Sequence, residues 1–554
     1  STAMNWPAMF SFFILSPTCI SRKSHLVIVF FIYCFAVALH DGSFASAKPI
    51  RIPQSIKCSP PNLPEGADES TLCCPKPAKV VKDFQLPSQT SPLRVRRAVQ
   101  HLDEEFIAKY KKAVELMKAL PADDPRSYAQ QAGIHCAYCD GVYRQEGFPN
   151  LEIQIHYSWF FLPFHRFYIY FHEKILGKLI GDPNFALPYW TWDSPEGMQV
   201  PSIFRDNSSA LYNPNRSKKH LKSKAIDLDY NYTERRISPE RLVRRNLALM
   251  YRNMVTNAKT SNLFFGHSYR AGDEPGPGFG SIEDVPHNSV HIWVGDDKRE
   301  NTEDMGNFYS SAKDPLFFPH HSNIDRLWTV WRRMGQGRRA LKDPDWLEAS
   351  FVFYDENGDA VRVKVKDCLH PKKLGYKYEH VDLPWLKSKP KPRKSRQVTD
   401  AILGDEKAAS LTATSTLATP SPSFPVVLDH VVNTIVQRPK KSRTKEEKER
   451  EEEILVIEGI EFRRDTPVKF NVYVNEHDWS ASTPENTEFA GSFVTVPNMH
   501  KHGKTLNTSM RIGLTDVLDD LGADDDDAVL VTLVPQYGKV PVKIGSVKIE
   551  FDSD

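Results

Sequence analysis

The chain sets two histidines four residues apart, His287 and His291, and follows them with an adjacent pair, His320-His321, at the head of the run Phe317-Phe-Pro-His-His-Ser-Asn-Ile-Asp-Arg-Leu-Trp328. Side chains four apart on a helix leave one face about one turn from each other, close enough for two imidazoles to reach one metal ion. The pair supplies a third imidazole, and Ile324, Leu327, Trp328 and Trp331 recur behind it at helical spacing. Three neutral imidazoles with no obvious carboxylate or thiolate leave an open coordination position suited to zinc, copper or iron. The choice among these metals turns on whether the chain holds one such site or two.

A second triplet lies upstream. His135 stands in Ile-His-Cys-Ala-Tyr-Cys-Asp140, and His156 and His165 bracket the aromatic stretch that runs on to Arg166. Pro163 suits the first turn of a helix continuing through Leu179, which puts His165 near its start, facing a bundle interior. His156, nine residues earlier, is off that face and must approach from the preceding loop. One triplet is weak evidence, because histidine amid aromatics is more often a core or surface residue. Two triplets, each in an aromatic frame, point to a paired metal centre, and pairing favours copper.

At 554 residues the chain is too long for one ordinary core and should divide into two or three domains. Formal net charge is +2, so nothing marks nucleic acid or a membrane surface as a partner. Arg22-Lys23, an apolar run from Leu26 to Leu39 and Ala45-Ser46-Ala47 read as a targeting segment over residues 1–47. The run is short for a stable membrane anchor, and its bulky character favours the secretory pathway, to vacuole or exterior. A plastid transit peptide ahead of a thylakoid-lumen signal is the alternative, since the first 25 residues carry Ser and Thr and no acid.

Beyond that segment remain Cys58, Cys73, Cys74, Cys136, Cys139 and Cys368. Adjacent Cys73 and Cys74 cannot easily bond to each other. Pairs Cys58-Cys74 and Cys73-Cys136 would staple the proline-rich segment after residue 48 onto the domain, and the cluster lacks the CxxC spacing of a zinc knuckle. Apolar periodicity from Ala98 to Leu120 predicts one scaffold helix.

The pairs HCAYCD with HYSWFFLPFHR, and HNSVHIWVG with DPLFFPHHSNIDRLW, resemble the two copper-binding signatures of the tyrosinase family, and LPYWTWDSPEGM resembles its plant polyphenol oxidase branch. The resemblance implies two copper ions per chain, one on His135, His156 and His165, the other on His287, His291 and His321, with His320 beside the ligands. It further implies a thioether from Cys139 to His156, a water held near the metals by Glu283, a role for Asn288 beside its ligand neighbour His287, and an aromatic shield, Phe308. His172, where the branch usually carries an aromatic, reads as a packing or surface residue.

The implied activity is oxidation of o-diphenols to o-quinones with dioxygen reduced to water, with o-hydroxylation of monophenols within reach. A specialised plant-metabolite synthase of the same family and a haemocyanin-like dioxygen carrier are the alternatives. The implied partners are small phenols, dioxygen and an activating protease. Tyr376-Lys-Tyr378 resembles the motif closing the family's catalytic domain, Asp382-Leu-Pro-Trp385-Leu386 its middle segment, and Lys469-Phe-Asn-Val472 its KFDV motif, with Asn471 in the usual Asp position.

The expected fold is a mainly α catalytic domain over residues 48–386, a four-helix bundle with long loops around the dicopper site. A proteolysis-prone linker, 387–428, then leads to an all-β sandwich, 429–554, built on the β-branched runs near 454, 468, 491, 529 and 547. By the resemblance that sandwich covers the metal site until the linker is cut. The charge-dense run 440–453 reads as solvated.

Overall fold

The computed structural model describes residues 48–52, 58–67, 71–222, 224–232, 237–393, 422–476, 478–499 and 503–553. The expected targeting segment, and residues 394–421 of the expected linker, lie outside the described residues. Among the described residues no helix is long and apolar enough to cross a membrane.

Six helices position the site. Helix α1 (Glu104–Ala119) starts where the Asp103 carboxylate accepts the Phe106 amide. The expected start near Ala98 is too early: Val99–His101 is a separate 3-10 turn, pulled aside because the Val99 amide donates to the Tyr189 carbonyl. An N-cap side chain satisfies amides that the first helical turn leaves free, so Asp103 fixes the boundary that periodicity alone does not. Helix α2 (Tyr128–Cys139) begins on a Ser127 cap. Helix α3 (Phe161–Leu179) carries Pro163 in its first turn and is buried along most of its length. Helix α4 (Pro239–Met254) is capped by Ser238.

His287 and His291 lie on helical chain, as their spacing predicts, with a break at Val285 ahead of both. Glu283–Asn288 form a wide, π-type turn and α5 spans Ser289–Val294. Pro286 accounts for the break, since a proline drives the residue before it out of helical conformation. Val285 accordingly sits at φ −133°, ψ 126°. Helix α6 (Phe317–Arg333) packs along α3 and completes the bundle.

A buried charge network holds the bundle's rear. The Tyr376 and Tyr378 hydroxyls donate to one Asp325 oxygen at 2.7 and 2.5 Å. Arg166 pairs with the other Asp325 oxygen, and Arg96 bridges Asp325 to Glu173. Buried charges persist only when paired in this way. The same tyrosines lie on a strand, Tyr376–Tyr378, that pairs in parallel with Arg94–Arg96 and so ties the end of the catalytic region to its beginning. Disulfides Cys58–Cys74 and Cys73–Cys136 fasten the N-terminal segment to α2, the second of them one residue from His135.

The C-terminal region is a two-sheet antiparallel sandwich. Its strands are β1 (Val426–Leu428), β2 (Val432–Gln437), β3 (Glu452–Arg463), β4 (Lys469–Val474), β5 (Phe489–Val494), β6 (Thr505–Gly513), β7 (Ala528–Tyr537), β8 (Val542–Ile544) and β9 (Ser546–Asp552). One sheet runs β6-β3-β8-β1, with β9 also on β3; the other runs β5-β4-β7-β2. Strand β1 pairs with β8, so the first strand of the sandwich falls within 387–428.

The run 440–453 is not wholly solvated. Arg443, Glu452 and Glu453 are buried, Glu453 in a bidentate pair with Arg438 at 2.8 and 2.9 Å. Such pairing lets charged residues enter an interior that a charge-dense sequence otherwise argues against.

Candidate metal centre

Two groups of buried histidines lie side by side in the bundle. His135, His156 and His165 form one, His287, His291, His320 and His321 the other, with one candidate ligand nitrogen from each member of a group lying within 4.8 Å of the rest. In the first group, His135 projects from α2 and His165 from near the start of α3, while His156 comes from irregular chain ahead of α3. The groups abut: the His165 and His321 rings stack 4.2 Å apart, and those of His156 and His287 lie 5.8 Å apart.

Hydrogen bonds orient most of the rings. Nδ1–H of His135 donates to the Phe308 carbonyl, that of His165 to the Phe161 carbonyl, and that of His291 to the Met305 carbonyl, each at 2.8 to 2.9 Å. His287 Nδ1 lies 3.1 Å from the Glu283 carbonyl and 3.0 Å from Asn288 Oδ1. A proton on Nδ1 leaves a lone pair on Nε2, and the Nε2 atoms of His135, His156, His165 and His287 are buried with no protein partner, as is that of His320. His291 and His321 bring their Nε2 atoms within 3.3 Å of each other, an arrangement that a shared cation relieves. Burial holds the rings neutral: it drives His135 down to about 3 and His291 to about 4, and lowers the other five in the same direction. Neutral imidazoles with inward lone pairs and no facing thiolate fit copper, whose two oxidation states both accept such ligands.

His320 differs from its neighbour. The Trp192 indole N–H donates to His320 Nδ1 at 3.0 Å, which places the ring proton of the neutral imidazole on Nε2. In that tautomer Nε2 has no lone pair to give, which favours His321 over His320 as the metal-facing member of the pair.

The remaining expected residues gather at the same place. Phe308 stacks on His156 at 3.9 Å and 16°. Glu283 is buried, accepts the Tyr157 amide at 2.6 Å through Oε1 and leaves Oε2 without a protein partner; burial raises its carboxyl well above the usual range. The Cys139 thiol is free and buried, and Gln154 joins its neighbourhood to His156, donating to the Cys139 carbonyl and accepting the His156 amide at 2.7 and 3.0 Å. His172 is buried, its ring stacked on Phe318 away from the seven histidines.

Gln154, Trp192, Phe161 and Phe317 escape a reading of the motifs alone. The two phenylalanines had a usable signal, since each precedes a histidine by four residues on the same helix face. Phe161 lies 4.8 Å from His165 and 4.6 Å from His287; Phe317 lies 4.1 Å from His321 and 5.0 Å from His135.

The sandwich closes over this centre. Asn288 donates from Nδ2 to the Val494 carbonyl at 2.8 Å, and Asp284 accepts the Val494 amide at 2.7 Å. The Phe308 amide donates to the Pro497 carbonyl at 3.0 Å, and Asp140 accepts the Met499 amide at 2.6 Å. Residues 494–499 thus run across both groups, held by catalytic-region side chains and backbone at either end.

Comparison with known proteins agrees with this geometry. Residues 125–334 match the common central domain of tyrosinase, 340–391 the polyphenol oxidase middle domain and 424–551 the chloroplastic polyphenol oxidase C-terminal domain. A chloroplastic polyphenol oxidase of Malus domestica is 56% identical over 514 residues, 92% of this chain and 86% of that one. Aureusidin synthase of Antirrhinum majus is 51% identical over 526 residues, 93% and 92% of the two chains. The solved structure of latent apple tyrosinase superposes with a TM-score of 0.80 at 55% identity, covering 86% of this chain and all of that one.

These relatives overturn the secretory reading of the leader. The Malus enzyme is chloroplastic, as is the C-terminal family matched, and plastid localisation is favoured over vacuole or exterior. A lumen-targeting signal behind a transit peptide has the same bulky apolar run as an export signal, so hydrophobicity did not discriminate between them. The helical core with its two groups of buried histidines, the closing sandwich and three successive domain matches place the chain in the tyrosinase family, in its polyphenol oxidase branch.

Proposed function

We propose that the chain oxidises o-diphenols to o-quinones in a plastid, using two copper ions, one on His135, His156 and His165 and the other on His287, His291 and His321. The observation that carries this reading is the contact between two buried, all-imidazole groups whose nearest rings stack at 4.2 Å. Copper bound there supplies one-electron steps between a diphenol and dioxygen. Each o-diphenol gives up two electrons and two protons, so two diphenols reduce one dioxygen to two waters.

The chain's own residues set the conditions for that exchange. Phe308, flat against His156, and Phe161, between His165 and His287, give a planar phenol an aromatic wall and keep bulk water out. The free Oε2 of Glu283 faces the interior and can hold a water or receive a phenolic proton, which extends the chemistry to monophenols. Asn288 fixes the His287 ring. A thioether between Cys139 and His156 would hold the one ligand that no helix carries, adding to the grip of Gln154.

The intact chain is a latent form. Residues 494–499 occupy the approach to both groups, and an activating protease cutting in the linker between the catalytic region and the sandwich would release them. A dedicated synthase, like the Antirrhinum relative, is the second reading, favoured by 51% identity over nearly the same span.

Oxygen uptake with 4-methylcatechol before and after limited proteolysis tests the proposal. Quinone formation that rises on cleavage supports it; reversible oxygen binding without quinone defeats it. A panel of mono- and diphenols, run with Glu283→Gln alongside, separates the two readings. Broad diphenol turnover identifies a general oxidase, and selective loss of monophenol turnover in the variant identifies the role of Glu283.

A further inference from the structure

A cavity of 290 Å³ opens at the C-terminal end of α6, with Arg166 of α3, the residue after His165, also in its wall. Arg332 and Arg333 on its wall lie eleven and twelve residues beyond His321, about 18 Å along the helix at its normal rise. Facing them are His370 and Lys372 from the turn Pro371–Leu374 and its approach, and Lys377 from the strand Tyr376–Tyr378. No carboxylate lines the cavity.

Composition does not explain this. The chain has 70 acidic residues against 72 lysines and arginines, and neighbouring cations are paired: Lys364 and Lys366 with Glu348, and Lys389 with Asp520. Among the described residues Arg332, Arg333, His370, Lys372 and Lys377 make no ion pair, and Arg332 donates only to the Leu369 carbonyl. The helix dipole accounts for basic residues in the last turn of α6. It does not account for Lys372, His370 and Lys377, which come from later chain.

The groups repel one another. Partial burial together with Arg332, Lys373 and Arg166 holds the His370 imidazole below its ordinary value, and burial with Arg166 lowers Arg332. An anion in the cavity would relieve this repulsion. Guanidinium and ammonium groups drawn from three segments around one open cavity suit the several acceptor oxygens of a phosphoryl group better than a lone carboxylate. Leu369, Pro371 and the Tyr376 ring add apolar wall, and the volume lies at the lower end of that seen for ligand pockets.

We infer that this cavity is a binding site for a small phosphate monoester, held by Arg332, Arg333, His370, Lys372 and Lys377. Phosphoryl recognition is the shared chemistry, and free phosphate is its other source. The proposed contacts include none of the seven grouped histidines, so the test is independent of the oxidase reading.

Titration calorimetry of the intact protein at low ionic strength with phenyl phosphate, and separately with inorganic phosphate, measures the binding directly. The expected result is saturable binding with a dissociation constant below about 1 mM. Arg333→Gln with Lys372→Gln should weaken it roughly tenfold or more, the order of losing charged hydrogen bonds. Unchanged o-diphenol turnover after proteolysis reports that the variant is folded. Tighter phenyl phosphate assigns the monoester, and equal affinities assign free phosphate as the ligand of the same site.

A second readout is the His370 imidazole resonance, assigned by its loss in His370→Asn. Its titration midpoint should move upward when phosphate is added. Absence of saturable heat, or affinity equal in wild type and double variant, overturns the proposal.

Discussion

The two histidine groups solve the same problem with different material. The group around His287 draws on a wide turn running into α5, and on the head of α6. The group around His135 draws on two helices and one irregular segment, and its loop member, His156, is held by Gln154 and covered by Phe308. The His287 group has a histidine to spare, and the Trp192 N–H on its Nδ1 favours the tautomer that would set His320 aside. One site is therefore selected by excluding a candidate, the other by restraining a ligand that no helix holds.

The largest expected effect tests the exclusion. His321→Ala should lower bound copper from two ions per chain to one and cut diphenol oxidation on the order of a thousandfold or more, because the paired ions act as a unit. His320→Ala should keep both ions, with a loss of roughly ten- to a hundredfold, the range for residues that orient ligands. Metal analysis with oxygen uptake reads both, and loss of an ion from the His320 variant alone would reverse the assignment. Trp192→Phe sharpens the point: with the indole N–H gone, His320 can carry its proton on either nitrogen. Copper affinity at the second group should shift by about tenfold while the first group is unaffected. An unchanged affinity would mean that something other than Trp192 holds His320 out.

On the other side, Gln154→Leu removes the acceptor of the His156 amide and the donor to the Cys139 carbonyl. The expected cost is about 1–3 kcal/mol for buried groups left without partners, seen as a lower thermal midpoint and weaker copper at the first group only. Peptide mass mapping of the copper-loaded protein for a Cys139 to His156 crosslink shows whether a covalent bond adds to this restraint. A crosslink present and unaffected by Gln154→Leu would leave Gln154 a minor role.

The same contrast explains what the sequence made legible. His287 and His291 announce themselves by spacing, and the turn between them is helical, but the chain breaks just ahead of them at Val285, because Pro286 acts on backbone geometry that periodicity does not see. His156 is legible as a loop residue, since nine residues cannot keep it on the face of His165. Gln154 and Trp192 were out of reach: a glutamine in an apolar run and a tryptophan 128 residues before its histidine carry no local pattern, and only the folded chain joins them to the site.

In the sandwich, the apolar β-branched strands β3, β4, β5, β7 and β9 stand out, whereas β6 alternates with Asn, Thr and Arg and β1 and β8 are three residues long. Short or polar strands are recognised by their partners in the sheet more than by their own composition. The boundary of α1 failed for the converse reason, a cap and a long-range backbone bond overriding a continuous apolar period.

The smallest effect concerns how the sandwich sits on the two groups. Asp284 holds the Val494 amide on the side of His287, and Asp140 holds the Met499 amide on the side of Cys139 and His156. If each end of residues 494–499 is held separately, Asp284→Ala and Asp140→Ala should each raise the activity of the uncleaved chain by up to about tenfold, the worth of one buried hydrogen bond. The double variant should then approach the product of the two, since the carboxylates grip different residues. After proteolysis all variants should match wild type in kcat, because neither aspartate is assigned a part in the reaction. A rise from Asp284→Ala alone would mean that the cover opens from the side of His287 and remains closed over His156, making the restrained site also the more deeply covered one. A lowered kcat in the cleaved Asp284→Ala protein would instead place that residue, next to Glu283, inside the reacting centre, and the two groups would differ in chemistry as well as in how they are built.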